Sequence, residues 1–259
     1  MDIKSIVEQV YDNCGMVDPS DLPIEDVIGS YNIFIKEEHI DGSDGRIIPT
    51  SNSAILTLNS NIKVHTRRKF VLAHELGHFI MHRNNGKMFQ DDTSTLNSWY
   101  DNNYNKAEIE ANMFAAEFLM PKWIFEDECK GKKFSPELID ELAEGFEVSK
   151  TAAILRFVEC GHYPVCIVYC HDNKMKWFKR SKDFRHYVEY ERNLPPRYGT
   201  VAEELFTTNT IYKGKDRKQT ISKSAWFKPN KYDDGDTDYN EYCLFVPKYN
   251  YSISVLWED

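Results

Sequence analysis

In the stretch FVLAHELGHFIMH, residues 70–82, three histidines and a glutamate interrupt an otherwise apolar run. An α-helix places positions i and i+4 one above the other, so His74 and His78 can aim two imidazoles at one ion. Glu75 lies about 100° further round the helix, beside that ion rather than on it. A carboxylate there can take a proton from water that the ion has acidified, which is the mechanical reason why His-Glu-x-x-His marks zinc peptidases. The stretch therefore predicts a catalytic zinc site, one Zn2+ per chain, with His74 and His78 as ligands and Glu75 as general base. Glu75 would accept the proton as water attacks a carbonyl and pass it to the departing amine. His82 stands two turns beyond His74, about 12 Å along the axis. That is too far to share an ion with bonds of about 2 Å, so His82 is expected to make a helix-end or loop contact.

A catalytic zinc needs three protein ligands and an open position. The segment AEIEANMFAAEFLMP, 107–121, offers the third. Glu108, Ala111, Asn112 and Ala115 share one helical face, and a carboxylate followed one turn later by an amide can ligate the metal and also hold a ligand histidine's outer nitrogen. Glu110 and Glu117 fall on another face and are expected to be solvated. The facial argument favours Glu108 over Glu110 without settling the choice. Gly77 costs about 1 kcal/mol relative to Ala in a helix interior, which hints at a close approach there.

The elements that must position these groups follow from periodicity and punctuation. Residues 3–13 and 23–30 read as short helices, 32–38 and 53–60 as strands, and DGSDG between those strands as a turn-rich link. Thr66 is a candidate cap for a helix from Arg67 to about His82, followed by a long polar loop over 83–104. A second helix spans Lys106 to Met120, with Pro121 closing it. Ser135 and Ser149 can cap two further helices, with Pro136 in a first turn and Gly161 at the stop. That outline suggests a helix-turn-helix, but the second helix shows only Lys150 and Arg156 as cations, so a packed hairpin is the better reading. Strands are expected at 164–170, 174–180, 219–227, 241–247 and 251–257, with a short helix near 200–206. The domains are cut near residue 161.

The pair RRKFVLAHELGHFIMH and EIEANMFAAEFLMP closely resembles the ImmA/IrrE family of bacterial metallo-endopeptidases, and the similarity spans roughly residues 1–160, including FEVSKTAAILRF. The resemblance implies an α+β fold: a gluzincin-like zincin catalytic domain over 1–160 with the helical hairpin 133–160 as an extension, then a smaller strand-rich α+β domain over 161–259. It implies His74, His78 and Glu108 as the metal ligands, since the family's glutamate lies four residues before the asparagine, with Glu75 as base and Asn112 behind the ligands. It further implies a protein substrate, a helix-turn-helix repressor of a mobile element or stress regulon, that is cleaved or otherwise inactivated. Tyr100 and Tyr104 are candidate oxyanion donors, and the strand SAILTLNS could hold an extended substrate by edge pairing.

Totals exclude some classes. With 41% hydrophobic and 14% aromatic residues among 259, the chain can build a sizeable core. Six cysteines at irregular spacing suggest reduced thiols. Cys166 and Cys170 have the spacing of half a zinc framework, but no second pair follows. The N-terminus lacks a signal peptide's apolar centre and no run is long enough for a membrane span, so a cytoplasmic protein is expected. The net charge of −9 argues against a general polyanion binder. Residues 172–231 nevertheless carry 15 Lys and Arg against 7 Asp and Glu, and read as a solvated surface rather than a nucleic-acid face. Two other classes stay open: a zinc-containing antirepressor that acts by complex formation, and a DNA-binding regulator using 172–231.

Overall fold

Amphipathic stretches at the start of the chain form α1 (Ile3–Cys14) and α2 (Ile24–Ser30), which bury Val7, Val10, Tyr11, Val27 and Ile28. Gly15 ends α1 in the left-handed conformation (φ 66°), so that the Met16 amide returns to the Tyr11 carbonyl at 2.9 Å. A computed structural model describes residues 2–50, 52–83, 89–90, 106–189, 191–228 and 235–259.

A four-stranded sheet follows, built from β1 (Ile33–Glu38), β2 (Gly45–Pro49), β3 (Ala54–Asn59) and β4 (Phe89–Gln90), in the order β1-β3-β2-β4. β1 runs parallel to β3, and β2 runs antiparallel to both β3 and β4. β2 is an addition to the sequence reading, which took DGSDG and its surroundings as a link. The turn is real, but Asn59 fixes it by donating to the Ile40 and Ser43 carbonyls, both at 2.7 Å, and the chain re-enters the sheet directly behind it. β4 likewise falls inside what read as a structureless loop.

Helix α3 (His65–His82) packs on β2 and β3 and on α4 (Lys106–Leu119), which in turn packs on α1. α3 starts two residues earlier than expected, with Val64 at the N-cap and no side-chain cap bond, so Thr66 lies inside the helix and does not cap it. Burial of nearly the whole middle of α3, from Val71 to Phe79, replaces the missing cap as its source of stability. Gly77 lets α3 and α4 approach closely: a Cβ built on it would lie 2.9 Å from Cδ1 of Phe114. Tyr11 locks α1 to the end of α4 through its hydroxyl, which donates to the Phe118 carbonyl at 2.8 Å.

Next come α5 (Lys122–Cys129), absent from the sequence reading, and α6 (Pro136–Gly145) and α7 (Lys150–Cys160), both expected. The Ser135 hydroxyl accepts from the Leu138 amide at 3.1 Å, as an N-cap should. The C-terminal sheet contains β5 (Cys166–His171), β6 (Lys174–Arg180), β7 (Gln219–Ser222), β8 (Asp238–Val246) and β9 (Tyr251–Trp257), ordered β6-β5-β9-β8-β7 and antiparallel throughout, with α8 (Val201–Thr208) beside it. A wholly buried carboxylate, Glu241, organises this part. It accepts from the Val201 and Ala202 amides at the start of α8, from the Trp226 indole and from the Ser254 hydroxyl, so four donors offset the cost of burying it.

The whole is mixed α+β. Two compact units divide the chain, residues 1–124 with 143–149 and residues 125–142 with 150–259. A single cut near 161 does not describe this division: most of the helical hairpin groups with the C-terminal strands. Side chains explain why. Phe134 lies 5.3 Å from Phe157 and 4.7 Å from Trp257 between ring centres, Thr151 and Tyr251 share a hydrogen bond, and Arg217 reaches Glu137 and Asp140. Cys166 and Cys170 are fully buried in β5 as free thiols, with burial pushing both well above the usual thiol range. Among the described residues they join no metal-ligand cluster.

Two outcomes are expected. Gly77→Ala should gain about 1 kcal/mol of helix propensity but lose about 1–3 kcal/mol to crowding against Phe114, so its urea midpoint should fall. A higher midpoint would mean that Phe114 yields freely. Burial alone would raise Asp140, but Lys150 and Arg217 hold it below the usual carboxylate range. The stabilisation it gives is therefore complete at neutral pH and is lost as pH falls through that lowered value. Arg217→Gln should be less stable than the native chain at pH 7, with the gap narrowing toward pH 3; a gap that stays constant in thermal melts would contradict this.

Candidate metal centre

Helix α3 presents His74, His78 and His82 along one stripe, and α4 faces them with Glu108, Glu110 and Asn112. His74, Glu75 and His78 are each at most 1% exposed, and the Glu108 side chain is 12% exposed. The Nε2 atoms of His74 and His78 lie 2.9 Å apart. Each is 3.2 Å from one oxygen of Glu108. These are the donors that the sequence singled out, and among the described residues they form the one cluster able to hold a metal ion.

Their outer atoms fix which way the rings face. Nδ1 of His74 donates to Oδ1 of Asn112 at 2.9 Å, so the lone pair of its Nε2 points at the cluster. The same orientation at His78 sets two ring lone pairs and a carboxylate against one another in a buried space. Burial alone would push the Glu108 carboxyl up, but protons shared with the His74 and His78 rings hold it well below the usual carboxylate range, so it is anionic. Either protons on the Nε2 atoms or a cation at the centre relieves the repulsion among these donors. Four-coordinate zinc with bonds of about 2.0–2.1 Å sets neighbouring donors roughly 3.3 Å apart, close to the spacings found. The donor set of two imidazoles and one carboxylate fits a divalent ion of zinc's kind.

Glu75 is positioned by a residue that sequence reasoning missed. Gly45, the first residue of β2, lies so close that a Cβ on it would come within 2.8 Å of Oε1 of Glu75 and 2.6 Å of Cγ1 of Val71. The approach is held from both ends. The Ser43 hydroxyl donates to the Gly45 carbonyl, and Nε of Arg67 on α3 donates to Asp44 at 2.7 Å. The glycine in DGSDG was visible in the sequence, but only as a turn signal; nothing local said that a helix would press on it.

Other expectations are corrected. Glu110 is not simply solvated. It accepts from Nε2 of His82 at 3.0 Å, and Nδ1 of His82 lies 3.3 Å from Nδ1 of His78. The His82 hydrogen bond holds Glu110 below the usual carboxylate range. Glu117 is buried and accepts from the Lys122 amide at 3.0 Å, fastening the end of α4. The strand containing SAILTLNS is β3, paired on both sides by β1 and β2, so it has no free edge for a substrate. Tyr100 and Tyr104 lie outside the described residues.

Three comparisons bear on this site. A peptidase family model described as the IrrE N-terminal-like domain matches residues 29–158, which contain the whole donor cluster. A protein of Bacillus phage phi105 named "Uncharacterized immunity region protein 2" is 32% identical over 88 residues, 34% of this chain and 49% of that protein. The chain thus spans about half the length of that curated relative. Among solved structures, a Mycobacterium tuberculosis transcriptional regulator superposes with a TM-score of 0.56 at 13% identity, over 99% of this chain and 76% of that one; at that identity the likeness concerns the fold. With half of its length matched by the family model and the expected donors assembled inside the match, the chain belongs to the IrrE N-terminal-like domain family of peptidases.

Proposed function

We propose that this protein is a zinc-dependent endopeptidase with a zincin-type catalytic domain, and that it hydrolyses an intracellular, DNA-binding repressor of a mobile element. The observation that carries the catalytic half is the convergence of His74, His78 and Glu108 beside a Glu75 carboxylate that is not itself a ligand. The phage relative's name, an immunity region protein, supports the substrate half. No described helix is long and apolar enough to cross a membrane, which accords with a cytoplasmic substrate. Residues 161–259 are proposed to take part in substrate recognition.

His74, His78 and Glu108 would hold the ion, which when bound supplies Lewis acidity toward water and toward a peptide carbonyl. Asn112 fixes the His74 ring. Glu75, next in sequence to a ligand and pressed by Gly45, holds the proton released by the attacking water and delivers it to the leaving amine. Its burial restricts it to a narrow set of positions, which is what a proton carrier between two partners needs.

Purified protein should bind one equivalent of zinc, and His78→Ala should abolish that binding. Glu75→Gln should leave zinc bound and reduce cleavage of a candidate repressor by at least about 100-fold. If derepression in cells survives Glu75→Gln undiminished, the protein acts by complex formation and the hydrolytic reading is wrong. Gly45→Ala should also slow turnover while zinc stoichiometry stays at one, because the added methyl displaces Glu75 or Val71; unaltered turnover would show that β2 has room to move.

A further inference from the structure

One polar pair next to the cluster, buried His82 with half-buried Glu110, is not used by the mechanism. His82 is 4% exposed and ends α3 one turn beyond His78. Its Nδ1 lies 3.3 Å from Nδ1 of His78, and its Nε2 lies 3.0 Å from Oε2 of Glu110. Taking the metal-centre reading as its basis, these two contacts fit one assignment of protons. A ligand histidine that offers Nε2 to an ion carries its proton on Nδ1. That N–H of His78 then donates to Nδ1 of His82, which as an acceptor must carry its own proton on Nε2, facing Glu110. No tautomer is left over. We propose that His82 and Glu110 form an outer hydrogen-bond relay that fixes the ring of His78 and sets how tightly this centre holds its metal.

The two ligand histidines are therefore supported unequally. His74 leans on a neutral amide, Asn112, whereas His78 leans on an imidazole backed by a carboxylate. An anionic acceptor at the end of such a chain increases the basicity of the ligand ring, and outer partners of this kind carry a sizeable share of metal affinity. Glu110 lies two residues from the ligand Glu108 on α4, so one turn of that helix supplies both a ligand and the far end of the relay. A purely structural reading also exists: the pair could just tie the end of α3 to the start of α4. The two readings differ in whether Glu110 acts through His82 on the metal.

The test uses the full chain and zinc affinity measured by competition with a chromogenic chelator. His82→Phe, which keeps the ring volume and removes the acceptor, should weaken zinc binding by about 10–100-fold. Glu110→Gln should weaken it by a smaller factor, and in the His82→Phe background it should change nothing. In the cobalt(II)-loaded protein the two ligand N–H protons should give two exchangeable shifted resonances, of which Glu110→Gln moves one and leaves the other in place. That measurement decides the matter even if His82→Phe does not fold. Affinities of both single variants within twofold of the native chain, equal effects of Glu110→Gln in both backgrounds, or an unmoved pair of resonances would overturn the relay. If zinc binding proves insensitive to His78→Ala, the metal-centre reading itself has failed; if it is lost in His78→Ala while the relay variants are neutral, only the relay falls.

Discussion

The candidate ligands come from two helices that are far apart in sequence, and a coordination sphere about 2 Å in radius would tolerate little error in how near those helices come. Gly77 sets that distance. Because it has no side chain, Phe114 lies where a methyl group would otherwise be, and α4 settles deep enough for Glu108 to touch both imidazoles. A wider gap would leave the carboxylate short of one nitrogen or both. Tyr11 on α1, bonded to the last turn of α4, supports the same contact from behind.

A second constraint acts on Glu75. The loop before β2 is held by Asn59 and by the Arg67–Asp44 pair, so the backbone at Gly45 is kept against Glu75. Lys69, also on α3, donates to Glu147 at 2.8 Å and is itself largely buried. The first turns of α3 are thus braced by charge-assisted contacts, which steadies the helix that carries His74 and His78. That matters because a metal site needs its donors held close to one geometry, and a softer frame would let them swing apart.

Much of this was legible in the sequence, and the reason is periodic. An i, i+4 pair on a helix is local geometry, so His74 and His78 could be brought together from spacing alone, whereas spacing only favoured Glu108 over Glu110 and the family resemblance made the choice. The strands of the C-terminal sheet were readable for the same kind of reason, since their apolar residues alternate or cluster. What could not be read were contacts made between distant segments. DGSDG announces a turn equally well whether or not a strand follows. Glu110 looks solvated on a helical wheel because the wheel does not show His82 arriving from another helix. Phe134 gives no local sign that Trp257, more than a hundred residues later, will cover it. Thr66 shows the opposite failure: a plausible cap was not used, because burial of α3 made it unnecessary.

The route of the backbone between the two compact units has a practical meaning. It leaves the first unit after residue 124, comes back for seven residues at 143–149, and leaves again. Those seven residues include Glu147, the partner of buried Lys69. Excision at 124 would therefore discard a brace of the ligand helix, while excision at 160 would retain Phe134 and Phe157 without the Trp257 that completes their packing. Neither truncation yields a closed fragment, so the unit that carries the metal-centre cluster is not a portable cassette: it is spliced into the rest of the polypeptide and has to be grafted or expressed together with it.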